Sequence, residues 1–249
     1  MKHTLAILVC SLVSASCASG PAVKPPAVDK GNLAVSLKAI PKAGIKNPRA
    51  AASGYDDGYG LSGYDAPTKA TGQFERVNYA HLSDIAVLLE GAALDDKGMV
   101  PRAAKLEAGE RGFDHDLALL GPNGMTQLTI VNDRDTALDF FCAGDKDGFD
   151  VSVGAGKSAV VTLKAAGMYE LLCAQDDKLH ATLIVAPNSY ACLSDAGDEA
   201  VFENVAPGSY SVRAVAARLP EWKGVATVAA GQTASVTAEL TVNSLPSAR

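Results

Sequence analysis

Short apolar runs separated by turn residues fill the sequence from residue 85 onward, and they constrain the fold more than any other feature. The runs lie at 85–89, 128–131, 159–163, 168–172, 181–185, 210–215, 225–230 and 234–242, with Gly, Pro, Asn or Asp beside most of them. Runs of strand length at spacings of about ten residues are typical of antiparallel sandwiches and barrels. The sequence therefore predicts an all-β fold.

Helical patterns are almost missing between these runs. Only the segment 103–110 has the composition for one or two helical turns. Because no strand–helix–strand alternation is present, the sequence argues against a doubly wound nucleotide-binding fold.

Size and charge limit the function classes. The chain has 249 residues, a net charge of −6 and a pI near 5.2, which suit one large or two small globular domains. An acidic chain offers no basic surface for a phosphate backbone, so we expect no nucleic-acid partner.

The N-terminus is typical of a bacterial export signal. Lys2 and His3 precede an apolar run at 5–13 and small residues at 14–20, and the run is too short to span a membrane. Cys17 after three small residues resembles the lipobox of bacterial lipoproteins, although Ser14 stands where those proteins prefer an aliphatic residue. The resemblance implies a signal peptide at 1–17 and a membrane anchor through lipid on Cys17, on the periplasmic face of the outer membrane or the cell surface. Cleavage after Ala18, giving a soluble periplasmic protein, is the alternative.

Residues 18–75 differ in composition from the rest. We predict a Pro-rich tether, one strand at 32–38 and a Gly/Tyr-rich low-complexity insertion at 50–72. Tyr55, Tyr59 and Tyr64 could stack on a glycan or a partner chain, or simply be solvated.

Several motifs occur in the order found in one bacterial family. They are Phe113-Asp114-His115, Asn132-Asp133-Arg134-Asp135, the hairpin 149–156 and the strand 167–173 that ends in Cys173. This part of the chain, from 85 on, resembles bacterial plastocyanin-like proteins of the methylamine utilization protein type. In that family a cupredoxin domain precedes a carboxypeptidase-regulatory-like domain, and 202–210 is similar to the latter's Phe-x-x-Val-Pro-Pro-Gly-x-Tyr motif.

The resemblance implies a two-domain architecture. We expect a Greek-key cupredoxin-like sandwich at 76–187, followed by a small carboxypeptidase-regulatory-like (transthyretin-like) β-sandwich at 188–244. The run at 85–89 would be an early strand of the first domain.

The resemblance also locates a copper site and shows how this chain departs from it. Family members take three ligands from a Cys-x-x-His-x-x-Met loop, whereas here Cys173 is followed by Asp176 and Leu179 at those spacings. The first copper histidine falls at Leu138. Only Cys173 remains of four ligands, so we expect no cofactor. The alternative is copper held by Cys173 with His180 and His115, which are otherwise solvated residues.

The exported chain retains Cys142, Cys173 and Cys192, and an oxidising envelope favours pairing. The family architecture brings the first two together, which implies a Cys142–Cys173 disulfide and leaves Cys192 as a small buried core residue. The pairs 142–192 and 173–192 stay open.

No catalytic motif is present: the sequence has no Gly-x-Ser-x-Gly, Walker loop, His-Glu-x-x-His or Cys-x-x-Cys. We expect a non-enzymatic envelope lipoprotein that acts as a binding or structural module, with an envelope protein or a glycan as partner. The alternative is a periplasmic copper-binding or electron-transfer protein.

Overall fold

A computed structural model describes residues 24–41, 77–91, 94, 104–122, 127–143 and 148–243. Cys17, the export signal and the Gly/Tyr-rich segment lie outside these residues. The described strands are Gly31–Ile40 (β1), Ile85–Glu90 (β2), Ala104–Gly109 (β3), Gly112–Phe113 (β4), Leu117–Leu120 (β5), Leu128–Asn132 (β6), Leu138–Ala143 (β7), Phe149–Val153 (β8), Ser158–Val161 (β9), Gly167–Cys173 (β10), His180–Val185 (β11), Ala191–Ser194 (β12), Glu199–Val205 (β13), Gly208–Val215 (β14), Trp222–Val228 (β15) and Thr233–Thr241 (β16).

The described part of the chain contains one helical element, a short 3-10 helix at Tyr79–His81. The prediction of an all-β class is therefore confirmed. The segment 103–110, for which helical turns were expected, forms β3 instead. No helix in the described residues has the length and apolar character needed to cross a membrane.

The strands form four sheets that pair into two sandwiches. The first sandwich consists of the sheets β5-β11-β10-β7-β8 and β4-β3-β6-β9. Its core takes alternate residues from each strand: on β10, Tyr169, Leu171 and Cys173 are buried, whereas Met168 and Glu170 are exposed. A strand with one face in the core and one in water has this period of two.

The second sandwich consists of the sheets β13-β1-β16 and β12-β2-β14-β15. The N-terminal strand β1 is central in its sheet, parallel to β16 and antiparallel to β13. Strand β2 lies between β12 and β14. The strands of the first sandwich therefore all lie between β2 and β12 along the chain.

This arrangement differs from the expected boundaries at 76 and 188. The run 85–89 was expected to open the cupredoxin-like domain, and the strand at 32–38 to stand alone in a tether. Both strands pair with the C-terminal strands instead. The reason is that strand pairing is non-local, and an unbroken apolar run such as β2 carries no preference for one sheet over another.

A third apolar layer joins the two sandwiches. It is formed by the outer faces of β2, β12 and β14 against those of β5 and β11, through Ala86, Leu88, Leu117, Leu119, Ile184, Ala186, Ala191 and Val215. Residues 85–89 of β2 are all apolar because Ile85, Val87 and Leu89 face the core of their own sandwich while Ala86 and Leu88 face the other sandwich.

Candidate functional site

The loop after β10 is where the family resemblance places a metal, and it begins at Cys173. This thiol is 8% exposed and lies opposite Phe140 of β7. Its Sγ donates to Gln175 Oε1 at 3.3 Å. The sulfur is thus at the inner edge of the loop, hydrogen-bonded to the loop itself.

Asp176, in the middle of this loop, forms an ion pair with Arg134. Arg134 Nη2 donates to Asp176 Oδ2 at 2.8 Å, and both side chains are mostly buried, 11% and 18% exposed. The pKa of Asp176 is lowered, first by the Lys178 backbone N–H, which donates to Oδ1 at 2.9 Å, and then by the hydrogen bond from Arg134. Arg134 also donates from Nε and Nη2 to the Gly109 carbonyl oxygen at 3.1 and 2.8 Å. One guanidinium therefore holds the loop to the end of β3.

Asn132 places Arg134 at this point. Its side chain is fully buried at the end of β6, and its Nδ2 donates to three backbone carbonyl oxygens, those of Thr136, Val153 and Gly154. Its Oδ1 accepts the Arg134 backbone N–H at 3.0 Å. A buried amide that satisfies several backbone groups in this way gives the turn one conformation.

A second polar link joins the loop to β7. Gln175 Nε2 donates to Asp139 Oδ2 at 2.6 Å, and Gln175 Oε1 accepts the Asp139 backbone N–H at 2.9 Å. Hydrogen bonds from Ser152 and then Gln175 lower the pKa of Asp139. These contacts and the Arg134 ion pair cross-link the loop to the neighbouring strands through protein groups alone.

The residues at the positions where the resemblance implies copper ligands do not fit a type 1 copper ion. Such a centre needs two imidazoles and a thiolate with a weak axial ligand. Leu138 and Leu179 are 2% and 0% exposed, belong to the apolar core and have no donor atom. Asp176 is bound to Arg134. Across the described residues, no three His, Cys, Asp or Glu side chains are grouped so that they could hold a metal ion.

The alternative set of Cys173, His180 and His115 is not brought together either. His180 lies opposite Leu172, so it projects from the face of the sheet opposite to Cys173. His115 is held elsewhere, since its Nδ1 is 2.9 Å from Asp84 Oδ2. We therefore correct that expectation: the strand period separates His180 from the thiol, and an acidic partner occupies His115.

The expected disulfide between Cys142 and Cys173 is absent, because Cys173 is a free thiol. Cys142 lies opposite Leu171, whereas Cys173 lies opposite Phe140, so the two cysteines are diagonal neighbours on β7 and β10. Diagonal pairs are roughly 7–8 Å apart, beyond the usual Cα separation for a disulfide. Cys192 is a free thiol buried in the second sandwich, as expected, and burial raises its pKa to about 12.

A cleft between the two sandwiches was not anticipated from the sequence. It has a volume of about 300 Å³ and is lined by residues of both units, among them Asn78, Asp84, Asp114, Asp116 and Arg218.

Two ionic contacts cross this cleft, His115 with Asp84 and Arg218 Nη2 with Asp116 Oδ1 at 3.2 Å. The hydrogen bond to Asp84 and the negative charges of Asp84, Asp114 and Asp116 raise the pKa of His115. Asp84 and Arg218 adopt positive φ angles of 56° and 68°, which is uncommon for residues with a side chain.

The similarity to known proteins is confined to fold. The chain matches no family model, and none of the curated proteins compared with it is similar enough to match. Among solved structures, cupredoxins are the class that part of the chain is similar to.

Amicyanin from Paracoccus versutus is 14% identical and aligns with 38% of this chain and 95% of its own, with a TM-score of 0.30. A purple cupredoxin from Nitrosopumilus maritimus is 12% identical over 33% of this chain and 99% of its own, with a TM-score of 0.29. A copper-containing nitrite reductase from Thermus scotoductus is 15% identical over 39% of this chain and 25% of its own, with a TM-score of 0.30. At these values the likeness assigns no activity to the chain.

Proposed function

We propose that this chain is a non-enzymatic, exported cell-envelope protein that acts as a binding or structural module. In this proposal the first sandwich is a cupredoxin-like frame that has lost its copper ligands and no longer uses a cofactor. The observation that carries the proposal is the Arg134–Asp176 ion pair, which engages the loop position where the family resemblance would put a copper histidine.

The second sandwich is proposed to be a carboxypeptidase-regulatory-like module. Its motif residues Phe202, Val205 and Tyr210 are buried in one core, and Tyr210 Oη donates to the Ala206 carbonyl oxygen at 2.6 Å. These contacts give the motif a packing role and leave it no reactive group. A structural or binding role therefore fits this module better than a catalytic role does.

A copper titration tests the central claim. Purified mature protein is titrated with Cu(II), and with Cu(I) under anaerobic conditions, while visible absorption and thermal unfolding are recorded. We expect neither a thiolate-to-copper absorption band nor a stoichiometric rise in Tm. A band that disappears in the Cys173→Ala variant would refute the proposal and establish a copper-handling role.

Attachment to the membrane through Cys17 belongs to the same proposal. It is supported by the lipobox-like sequence Ser14-Ala15-Ser16-Cys17 after the apolar run. Labelling of bacterial cultures with an alkyne fatty acid should mark the wild-type chain and not the Cys17→Ser variant. Recovery of the wild-type chain unlabelled and in the soluble periplasmic fraction would instead support cleavage after Ala18.

A further inference from the structure

The five-stranded sheet of the first sandwich has an outer face of which only the part formed by β5 and β11 is covered. Its β5 and β11 edge carries Leu117, Leu119 and Ile184, which pack against β2, β12 and β14 of the second sandwich. The outward side chains of β7, β8 and β10 remain accessible: Phe141 is 38% exposed and Met168 is 52% exposed. We define the open face by Phe141, Asp150, Met168, Glu170 and Leu172.

Apolar residues on the open face are continuous with the interface that joins the sandwiches. Met168 on β10 is the register partner of Ile184, which is already buried in that interface. Leu172, on the same strand, lies directly opposite Phe141 of β7. A sheet face in contact with water usually carries polar side chains, so accessible apolar residues on both sides of Glu170 indicate a site of interaction. One part of this sheet face is thus buried against the second sandwich, and the other part exposes apolar side chains that could bind a partner.

Acidic side chains lie beside these apolar residues, and Arg213, which lines the groove next to Met168, is already ion-paired with Glu90 and Glu221. Asp150 lies opposite Phe141, and Glu170 lies between Met168 and Leu172 on β10. Asp139 is the next outward residue along β7. None of the outward-facing side chains described on β7, β8 and β10 is Lys or Arg. A second copy of this chain would oppose carboxylates to carboxylates on its two-fold axis, and like charges at an interface are unfavourable.

We propose that the open face docks a partner protein whose surface presents apolar side chains bordered by Lys or Arg. The inference rests on the proposed non-enzymatic binding role and adds the surface and the chemistry of the partner. Aromatic and apolar residues at the centre provide affinity, and charge complementarity at the rim selects the partner and speeds association.

The test uses the full mature chain and synthetic peptides in calorimetric titrations. One peptide alternates Lys with Leu, a second alternates Glu with Leu, and a third alternates Lys with Ser. We expect binding of the Lys/Leu peptide alone. Its affinity should fall about ten-fold or more in Phe141→Ser and in Glu170→Lys, because both the apolar centre and the acidic rim are required.

Matched controls come from other faces of the protein. Val225→Ser removes a valine that is 70% exposed on β15, and Glu239→Lys reverses an exposed charge on β16. Both should bind the Lys/Leu peptide as the wild type does. If Phe141→Ser does not fold by circular dichroism, Met168→Ser replaces it.

Four results would overturn the inference. These are no binding of the Lys/Leu peptide, equal binding by the open-face variants and the controls, equal binding of the Lys/Ser peptide, and binding to anionic phosphatidylglycerol vesicles that Phe141→Ser abolishes. The last would identify a membrane-facing surface. Copper binding in the titration above would refute the proposed function and not this surface, so the two failures are distinguishable.

Discussion

Arg134 and Asp176 are joined by an ion pair 2.8 Å long that connects the turn after β6 to the loop after β10. The guanidinium also donates hydrogen bonds to the Gly109 carbonyl oxygen, so it links three segments that are distant along the chain. Charge-assisted hydrogen bonds are stronger than neutral ones, so these contacts are a firm cross-link between the three segments.

Replacement of Arg134 by Met should therefore destabilise the protein. The Gly109 carbonyl oxygen would lose both side-chain hydrogen bonds, which corresponds to about 1–2 kcal/mol in the free energy of unfolding. Urea unfolding followed by circular dichroism measures this loss. The exposed Arg111, changed to Met in the same way, is the control and should leave the midpoint unchanged. Equal midpoints for the two variants would show that the ion pair adds nothing to stability.

Acid should weaken this loop in a defined pH range. The folded-state pKa of Asp176 is lowered from 3.8, so its contribution to stability is present above about pH 3.8 and is lost as the pH falls through the folded value. At neutral pH the wild type should therefore have a higher Tm than Asp176→Asn. This difference in Tm should become smaller below pH 3.8. Asp177→Asn alters the exposed neighbouring carboxylate and is the control. A gap that stays constant with pH would contradict the assignment.

Sequence patterns predicted most strands and the sandwich class, because alternation and turn residues are local signals. They failed at β3, whose Ala, Lys, Leu and Glu have good helix propensity. Leu106 and Ala108 alternate into the core while β3 pairs with β6, and this tertiary pairing overrides the propensity. The sequence also did not predict which strands pair with β1 and β2. Both pair with strands that follow the first sandwich along the chain, and such non-local pairing leaves no local sequence signal.

The ionic contact between His115 and Asp84 should make stability depend on pH near neutrality. The folded-state pKa of His115 is raised above 6.5, so its contribution is fully present below pH 6.5 and is lost as the pH rises through the folded value. The charged groups around it are Asp84, Asp114 and Asp116, and Arg218 neutralises part of the charge on the last.

The Tm difference between pH 6 and pH 8 should be smaller in His115→Gln than in wild type. His180→Gln, which replaces a half-buried histidine on the outer face of β11, is the control and should keep the wild-type difference. Because His115 is half exposed, added salt should reduce the effect. An unchanged pH dependence in His115→Gln would exclude the contact as a contributor.

The candidate site was predictable in part. The spacing after Cys173 predicted Asp176 and Leu179 at the positions where the resemblance implies copper ligands, because residue types can be read directly from the sequence. The replacement contacts were not predictable, since Arg134 reaches Asp176 only after the turn at Asn132 has formed. The cleft residues Asp84 and Arg218 gave no sequence signal either, because their positive φ angles are visible only in the fold.

The indole ring of Trp222 lies over Gly224 on β15 and requires a glycine at that position. A Cβ at residue 224 would overlap the six-membered ring of Trp222, two residues earlier on the same strand. Gly224→Ala should thus cost about 1–3 kcal/mol in unfolding free energy through overpacking. Trp222 is the single tryptophan of the chain, so its fluorescence maximum should shift as the ring is displaced.

Gly167→Ala on β10 is the matched control for this prediction. The nearest atom to its added Cβ would be a ring carbon of Tyr169 at 3.6 Å, an ordinary contact. It should change neither the unfolding midpoint nor the fluorescence. Wild-type fluorescence and stability in Gly224→Ala would mean that the ring does not occupy this position in solution.

Introduction of copper ligands tests whether the resemblance places the metal positions correctly. Leu138, Cys173 and Leu179 all face the core of the first sandwich. The triple variant Leu138→His, Asp176→His and Leu179→Met should bind Cu(II) with a thiolate absorption band and a rise in Tm, because a ligand that binds only the folded state stabilises it. Without copper it should be less stable than wild type, since a buried imidazole replaces Leu138 and Arg134 loses its partner.

Two controls accompany the triple variant. Addition of Cys173→Ser to it should abolish the band. The variant Leu138→His, Asp177→His and Leu179→Met, which moves one imidazole one position later, should not produce it. A triple variant that folds by circular dichroism and yet shows no band would contradict the alignment of Leu138, Asp176 and Leu179 with the copper ligands. The Arg134–Asp176 ion pair would then be an ordinary loop contact unrelated to a former metal site.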